Sequence, residues 1–275
     1  MPQGTLTLLI PSSLTVEKED PKIKTYKIGT IARAAAIYRV NKIIIYKDRE
    51  FDDSKFISTI LRYAETPQYL RKYLFPRSKI LRYAGVIPPL RTKHHPLGSE
   101  SSNIGDIREG IIRDVGSDGS AWVEIGLERP ALLRTSAKMR KGERLTIKIF
   151  SREPLEVKVA REDEIPCNWG YRVEVGSSLG KILSKSDDLV IATSKKGEAV
   201  NLKLLNEIAQ EIKNRSLSIA FGSPTRGLAE ILGDEGVELA NVSDYILNTI
   251  PNQGTQTVRS EEAIHATLAL LNSLR

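Results

Sequence analysis

The chain has 275 residues, 40% hydrophobic and 27% charged, with a formal net charge of +7. That composition excludes a disordered or collagen-like chain, and the length suits one large or two ordinary domains. No apolar run approaches the roughly 20 residues of a membrane span, and the N-terminus has no signal-peptide pattern. The one cysteine, Cys167, can form neither an internal disulfide nor a zinc cluster, so a cytoplasmic setting is expected.

Residues 5–10 read as a short buried strand ended by Pro11. Residues 27–40 predict a helix, with Ile28, Ile31, Ala32, Ala35 and Ala36 on one face. Residues 43–46, Ile-Ile-Ile-Tyr, form a continuous apolar strand. Strand, helix and strand without hairpin turns indicate a parallel sheet with covered faces. Asp52 or Asp53 caps a second helix whose face is Phe56, Ile57, Ile60, Leu61 and Ala64, and Thr66-Pro67 breaks it. Residues 68–74 add a short helix ended by Phe75-Pro76.

The pattern changes near Pro88. Between residues 94 and 166 there are five short strands, at 110–115, 121–125, 131–135, 144–150 and 155–160, with almost no helical period. Gly116-Ser117-Asp118-Gly119 is a hairpin signal and Lys141-Gly142-Glu143 another turn. Five strands of this size fit a small OB-type barrel, with an SH3-like barrel as the rival. After Pro166 the α/β pattern returns. Strands are expected at 171–175, 189–192, 217–221 and 245–250, with an amphipathic helix at 202–212. Ser260 caps a last helix, with Ala263 at the third place of an approximate capping box. The domains expected are 1–93 and 167–275, two parts of one α/β fold, with 94–166 inserted between them as the barrel.

Three strand ends carry Gly, Ser, Thr and Pro where catalytic acids could stand. They are Thr193-Ser194-Lys195-Lys196-Gly197, Gly222-Ser223-Pro224-Thr225-Arg226-Gly227 and Ile250-Pro251-Asn252-Gln253-Gly254-Thr255. Such loops expose backbone N–H and C=O groups to a ligand at the strand ends of a parallel sheet. They suit a neutral purine ring and a small amino-acid tail. No Walker phosphate loop is present. Each loop alone reads as ordinary turn glycines; three together read as a pocket.

Charge divides the chain. Residues 1–95 carry +10, 96–185 carry +1 and 186–275 carry −4. A basic first third suits a polyanion such as RNA, and a solvated Lys-rich surface accounts for it equally. Trp122, Phe150 and Tyr171 are candidate stacking platforms for bases, against the commoner role of barrel core. His94 and His95 have no third metal ligand nearby and read as a loop at the insert boundary.

The order of motifs resembles the SPOUT methyltransferase superfamily. Ile28-Gly29-Thr30-Ile31-Ala32-Arg33-Ala34-Ala35 looks like its first motif. Residues 219–228, Ile-Ala-Phe-Gly-Ser-Pro-Thr-Arg-Gly-Leu, look like its second. Residues 248–255, Asn-Thr-Ile-Pro-Asn-Gln-Gly-Thr, with the helix that follows, look like its third. Thr66-Pro67-Gln68-Tyr69-Leu70-Arg71-Lys72-Tyr73-Leu74-Phe75-Pro76, Tyr83-Ala84-Gly85 and His94-His95-Pro96 are similar to the archaeal and eukaryotic RNA methyltransferase branch with an OB-type insertion. Arg77-Ser78 and Arg91 depart from that branch, which often has a histidine and an acidic residue there.

The resemblance implies a trefoil-knotted, Rossmann-like parallel sheet with an inserted OB-like barrel. It implies S-adenosylmethionine as methyl donor, a homodimer with composite sites, and rRNA as substrate, with N3 of uridine a candidate atom. Donor-binding residues would be Thr193, Ser194, Gly222, Ser223, Pro224, Gly227, Ile250, Pro251, Asn252, Gln253, Gly254 and Thr255. Arg33 would be catalytic, gripping a phosphate or an imide anion formed as the N3 proton leaves. The sequence offers no evident general base and no metal site. A non-catalytic RNA-binding or ribosome-assembly protein with the same fold is the alternative, and methylation of a protein or small molecule a third reading.

Overall fold

The computed structural model describes residues 4–96, 102–166 and 168–275; Cys167, expected to be a structural residue where the α/β pattern returns, lies outside them. The chain divides into two compact units. One comprises Met1–Arg62, Ile80–Pro89 and Tyr171–Arg275, the other Tyr63–Lys79 and Leu90–Gly170.

The first unit is built on a six-stranded sheet. Its strands are β1 (Leu6–Pro11), β2 (Lys42–Lys47), β8 (Arg172–Ser178), β9 (Leu189–Ala199), β10 (Leu217–Ala220) and β11 (Tyr245–Asn248), in the order β11-β9-β10-β1-β2-β8. Every pairing is parallel, so all the strand ends that lead into functional loops share one edge. β1 is buried along its whole length, as a strand covered on both faces requires. On one face Leu9, Tyr46, Val190 and Ala220 pack with Leu179, Leu183, Ile231 and Leu232. Those partners come from α4 (Leu179–Leu183) and α6 (Leu228–Gly233), two short helices that the hydrophobic period does not reveal.

Helix α1 spans Pro21–Ile37, six residues earlier at its start and three shorter at its end than the apolar period predicts. Asp20 is the reason for the start. Its side chain accepts from Lys22 N–H at 2.7 Å, and Pro21 has the φ that a first turn needs. Arg39 takes a left-handed φ of 59° and ends the run before Val40. α2 (Ser54–Glu65), α5 (Leu202–Ile212) and α7 (Ser260–Asn272) stand where expected. Ser260 is not the cap of α7. Arg259 holds that place and its N–H donates to Glu262 at 3.0 Å, so the box closes one residue earlier than Ala263 suggested.

In the second unit β3 (Ile107–Val115), β4 (Ala121–Glu124), β5 (Ala131–Leu133), β6 (Arg144–Arg152) and β7 (Leu155–Val159) close a barrel in the order β3-β4-β5-β7-β6. β5 and β7 pair parallel and the other four pairings are antiparallel, which is the Greek-key closure of an OB-type barrel. Strand count could not separate this from an SH3-like barrel; the parallel pair does. Ile112, Val123, Leu133, Ile147, Ile149 and Val157 fill its interior. The turn at 116–119 closes through Gly119, whose φ is 83°, with Gly116 N–H donating to Ser120 O at 2.8 Å. α3 (Gln68–Leu74) packs on β3, and Tyr69 Oη donates to Glu109 O at 2.9 Å.

Candidate functional site

The three loops meet at the edge where β10, β9 and β11 end. β9 leaves its ladder after Ala192 and rejoins at Glu198, because Ile246 pairs with Ala192 and Leu247 with Glu198. Residues 193–197 therefore form an excursion inside a strand rather than a loop after one. Thr193 Oγ1 donates to Ala220 O at 2.9 Å and ties this excursion to the end of β10. Asn248 Nδ2 donates to Lys195 O at 3.1 Å, and Lys195 Nζ to Gln256 O at 3.2 Å, which ties it to the third loop. Ser194 Oγ accepts from Lys196 N–H.

Two glycines are dictated by this geometry. A Cβ on Gly197 would lie 2.6 Å from Ile246 O, and one on Gly222 would lie 2.7 Å from Arg226 O. Both obstacles are backbone, so neither position accepts a side chain without moving a strand or a turn. A Cβ on Gly227 or Gly254 would meet nothing within 4 Å; those two face open space. The turn at 222–227 is closed by Ser223 N–H to Arg226 O at 2.9 Å, and by Ser223 Oγ accepting from Arg226 N–H at 2.9 Å. Tyr46 Oη donates to Phe221 O at 2.7 Å just before the turn. Burial pushes that phenol well above its ordinary range, so it stays a donor.

In the third loop Ile250 N–H donates to Asn248 Oδ1, and Asn252 adopts a left-handed φ of 57°. Pro251 is half-buried, while Gln253 Nε2 donates to Thr255 O at 2.9 Å and Thr255 Oγ1 to Thr257 O at 2.9 Å. Pro224 is likewise half-buried in the second loop. Hydrogen bonds thus tie the 193–197 excursion to the end of β10 and to Asn248 and Gln256, which flank the 250–255 loop. Arg33 sits on α1, half-buried, and Nη1 donates to Pro89 O at 3.2 Å.

The loops have hydroxyl and amide groups, exposed backbone and open space beside Gly227 and Gly254, and the first also carries the exposed Lys195 and Lys196. That donor set fits an adenosine and an amino-acid tail, which need hydrogen bonds and close backbone approach more than fixed charge. Arg226, the cation of the middle loop, is consumed: Nη1 meets Asp48 Oδ1 at 3.2 Å and Nη2 meets Asp234 Oδ2 at 2.5 Å.

Of the three candidate stacking residues, Trp122 (46% exposed) and Phe150 (60%) stand out from the barrel wall. Tyr171 does not. It is buried in the sheet unit and its hydroxyl donates to Leu61 O at 3.0 Å, so it is a core residue and no platform. Among the described residues no group of three or more His, Cys, Asp or Glu side chains could hold a metal ion.

His94 belongs instead to a buried polar network. Glu65 takes two hydrogen bonds from Arg144, at 2.6 and 3.0 Å, and lies 3.1 Å from His94 Nε2. Arg144 Nε reaches Glu109 at 2.6 Å, and Glu109 also accepts from Thr146 and from the Trp169 indole, both at 2.7 Å. Burial would raise the Glu65 pKa, but the bonds from His94 and Arg144 outweigh it and hold the carboxyl at about 2. Burial, and then the neighbouring His94, lower His95 to about 4. Sequence reasoning missed this network because its members are scattered from Glu65 to Trp169, and only barrel closure joins them.

Residues 5–271 match the family described as "Putative RNA methyltransferase". The chain is 40% identical to an uncharacterized protein of Halobacterium salinarum, over 97% of this chain and 98% of that one. It is 30% identical to the human 28S rRNA (uridine-N(3))-methyltransferase, over 97% of this chain and 77% of that one. Among solved structures, the SpoU methyltransferase AviRb of Streptomyces viridochromogenes, in complex with AdoMet, aligns at 9% identity and a TM-score of 0.40. That alignment covers 100% of this chain and 58% of that one.

Proposed function

This chain belongs to the RNA methyltransferase family whose sequence pattern spans it, and on that premise we propose that it methylates rRNA at N3 of uridine, with S-adenosylmethionine as the donor. The observation that carries the reading is that three loops rich in hydroxyl and amide groups lie at one sheet edge, the first tied to the end of β10 and to the third. Thr193, Ser194, Gly222, Ser223, Pro224, Gly227 and the 250–255 loop would hold the donor. When bound, the donor supplies an activated methyl group on a sulfonium leaving group. The chain's task is then to fix the acceptor in line and keep water out, and proximity can supply much of the barrier reduction.

At N3 a proton must leave, and a fixed positive charge would stabilise the imide anion. Arg33 is the residue proposed for that. It shares a stripe of α1 with Ile23, Tyr26 and Ile37, spaced three, seven and four residues apart along the chain. Those three apolar side chains are 50%, 57% and 46% exposed. An apolar stripe open to solvent suits a second copy of the chain. A homodimer through this face would place Arg33 at the interface, where it could serve a composite site. The trefoil knot belongs to the same proposal: residues 193–200 run so close to β11 that only glycine fits at 197. The setting proposed for the enzyme is the cytoplasm.

Two measurements test the reading. Calorimetry should show heat on titrating S-adenosylmethionine and its demethylated product, and mass mapping of rRNA should show a uridine whose N3 methyl depends on this protein. Arg33→Ala should lower turnover roughly 100-fold with donor affinity nearly intact. No heat with either ligand sinks the enzyme reading; full turnover of Arg33→Ala at saturating RNA ends the role of that residue.

A further inference from the structure

Beside the donor loops lies a cleft that neither sequence motifs nor relatives assign. It opens where β2 and β8 end, has a volume of about 760 Å³, and is lined by residues of the sheet unit alone. A mononucleotide-sized group fits a space of that size. Lys47 and Ser178 stand opposite each other in the β2–β8 register and both line it.

The charges around it fall into two groups. Its three carboxylates are all engaged inside the protein. Asp48 accepts from Arg226 at 3.2 Å and from Ser13 at 2.5 Å, Asp234 accepts from Arg226, and Glu235 accepts from the N–H groups of Leu179 and Gly180 at 3.1 and 2.8 Å. Its four cations, Lys47, Arg49, Lys181 and Lys185, are all exposed, and among the described residues none makes an ion pair. Lys181 is on α4 and Lys185 follows two residues after its end. The cleft therefore presents four open positive charges, while its three carboxylates are held by hydrogen bonds inside the protein. Ser177 and Ser178 add hydroxyls to its lining.

Arg226 links this cleft to the second donor loop, since the two carboxylates that grip it also line the cleft. We infer that the cleft is the RNA site of the enzyme, holding backbone phosphates of the acceptor strand next to the donor pocket. Unpaired Lys and Arg side chains clustered around one concavity are the electrostatic footprint of a phosphodiester chain. This inference rests on the proposed function for the identity of the polyanion, and on the cleft itself for the place.

The test is the salt dependence of binding to a labelled mixed-sequence single-stranded RNA. In K181A/K185A two phosphate contacts are lost, and the slope of log affinity against log salt should fall by about 1.4. The comparison is K203A/K213A, which removes the same charge from exposed positions on and beside α5 and should leave the slope within error of wild type. Thermal unfolding confirms that both variants fold, and donor affinity should be unchanged in both. An unaltered slope in K181A/K185A, or an equal fall in the two variants, overturns the cleft assignment. If that happens while wild type still binds donor and methylates RNA, the proposed function stands without it. If the slope falls as expected but the donor gives no heat, the cleft stands and the methyltransferase reading fails.

Discussion

The two units use charge in opposite ways. The barrel unit buries Glu65, Glu109, Arg108 and His94, and it locks Glu65 and Glu109 onto Arg144. The sheet unit gathers loops rich in hydroxyl and amide groups at one edge and, among the described residues, leaves the four cations of its cleft without ion pairs. By residue type alone, histidine, glutamate and arginine within hydrogen-bonding distance would be the first place to look for catalysis. Yet every carboxylate oxygen of Glu65 and Glu109 already has a partner. A saturated carboxylate has no capacity to take a substrate proton. What separates the regions is therefore not which residues are present but whether their bonding capacity is spent.

That contrast predicts a large stability effect with no chemistry behind it. Glu65→Ala leaves the Arg144 guanidinium without its bidentate partner in a buried setting, and removing one member of such a pair costs about 3–5 kcal/mol. Urea unfolding should show a loss of that size. A loss under about 1 kcal/mol would mean that the network is exchangeable and the contrast false.

The same network sets a pH dependence. Glu65 titrates at about 2 in the fold and nearer the ordinary carboxylate value of about 4.3 when unfolded, so its contribution is present above that value and lost as pH falls toward 2. His95 titrates at about 4 in the fold against an ordinary 6.5, so the unfolded chain binds its proton first as pH falls from 6.5 to 4. Both losses come on acidification. The urea midpoint should fall in two stages, and His95→Gln should remove the upper one. A flat midpoint from pH 7 to 4 in the native protein would contradict the upper stage.

In the sheet unit the expected effects reach the ligand rather than the fold. Gly222→Ala must push Arg226 O by several tenths of an ångström, so the turn at 222–227 has to open. Donor affinity should fall at least tenfold, or about 1.4 kcal/mol. Gly254→Ala meets nothing within 4 Å of the new Cβ. Any loss of donor affinity there reports contact with the ligand itself. Calorimetry on the pair separates a pocket shaped by the turn from one merely near it; equal, unchanged affinities would remove both glycines from the donor site.

The legible and illegible parts of the molecule divide by the range of the interactions that decide them. Local signals carried far. The apolar period at Ile57, Ile60 and Leu61 placed α2, and Gly116 to Gly119 placed a hairpin. The run of Gly, Ser and Pro at 222–227 marked a loop that the structure does place at a strand end. A local signal of a different kind, Asp20-Pro21, marks the true start of α1, where apolar periodicity alone has nothing to read. Long-range pairings were invisible. The parallel β5–β7 pair that fixes the barrel type joins residues more than twenty apart. The burial of Tyr171 depends on the Leu61 carbonyl, and the engagement of Arg226 depends on Asp48 and Asp234. Four cations around one cleft come from two segments, at 47–49 and 181–185, so no window of sequence contains them.

The smallest expected effect concerns the barrel wall. Trp122 lies on the outer face of β4 opposite Leu132 of β5, which in turn pairs with Glu156 of β7 and, through it, with Ser151 of β6. Phe150 is at the irregular step between Ile149 and Ser151, and Lys158 stands 5.8 Å over its ring. Both rings are exposed on the outside of the barrel, and Trp122 stands on the strand pair β4–β5, the one on which OB barrels bind oligonucleotides. An exposed ring that stacks a base contributes about 1 kcal/mol or more to RNA affinity. Trp122→Ala should then weaken RNA binding roughly fivefold, with little change in the salt slope, because stacking releases no counterions. The cleft variant K181A/K185A should do the reverse, lowering the slope. Two variants with distinct salt signatures would show the barrel wall and the cleft each contacting RNA, by different physics. Wild-type affinity in Trp122→Ala would leave the barrel wall out of RNA recognition and the cleft as its main contact.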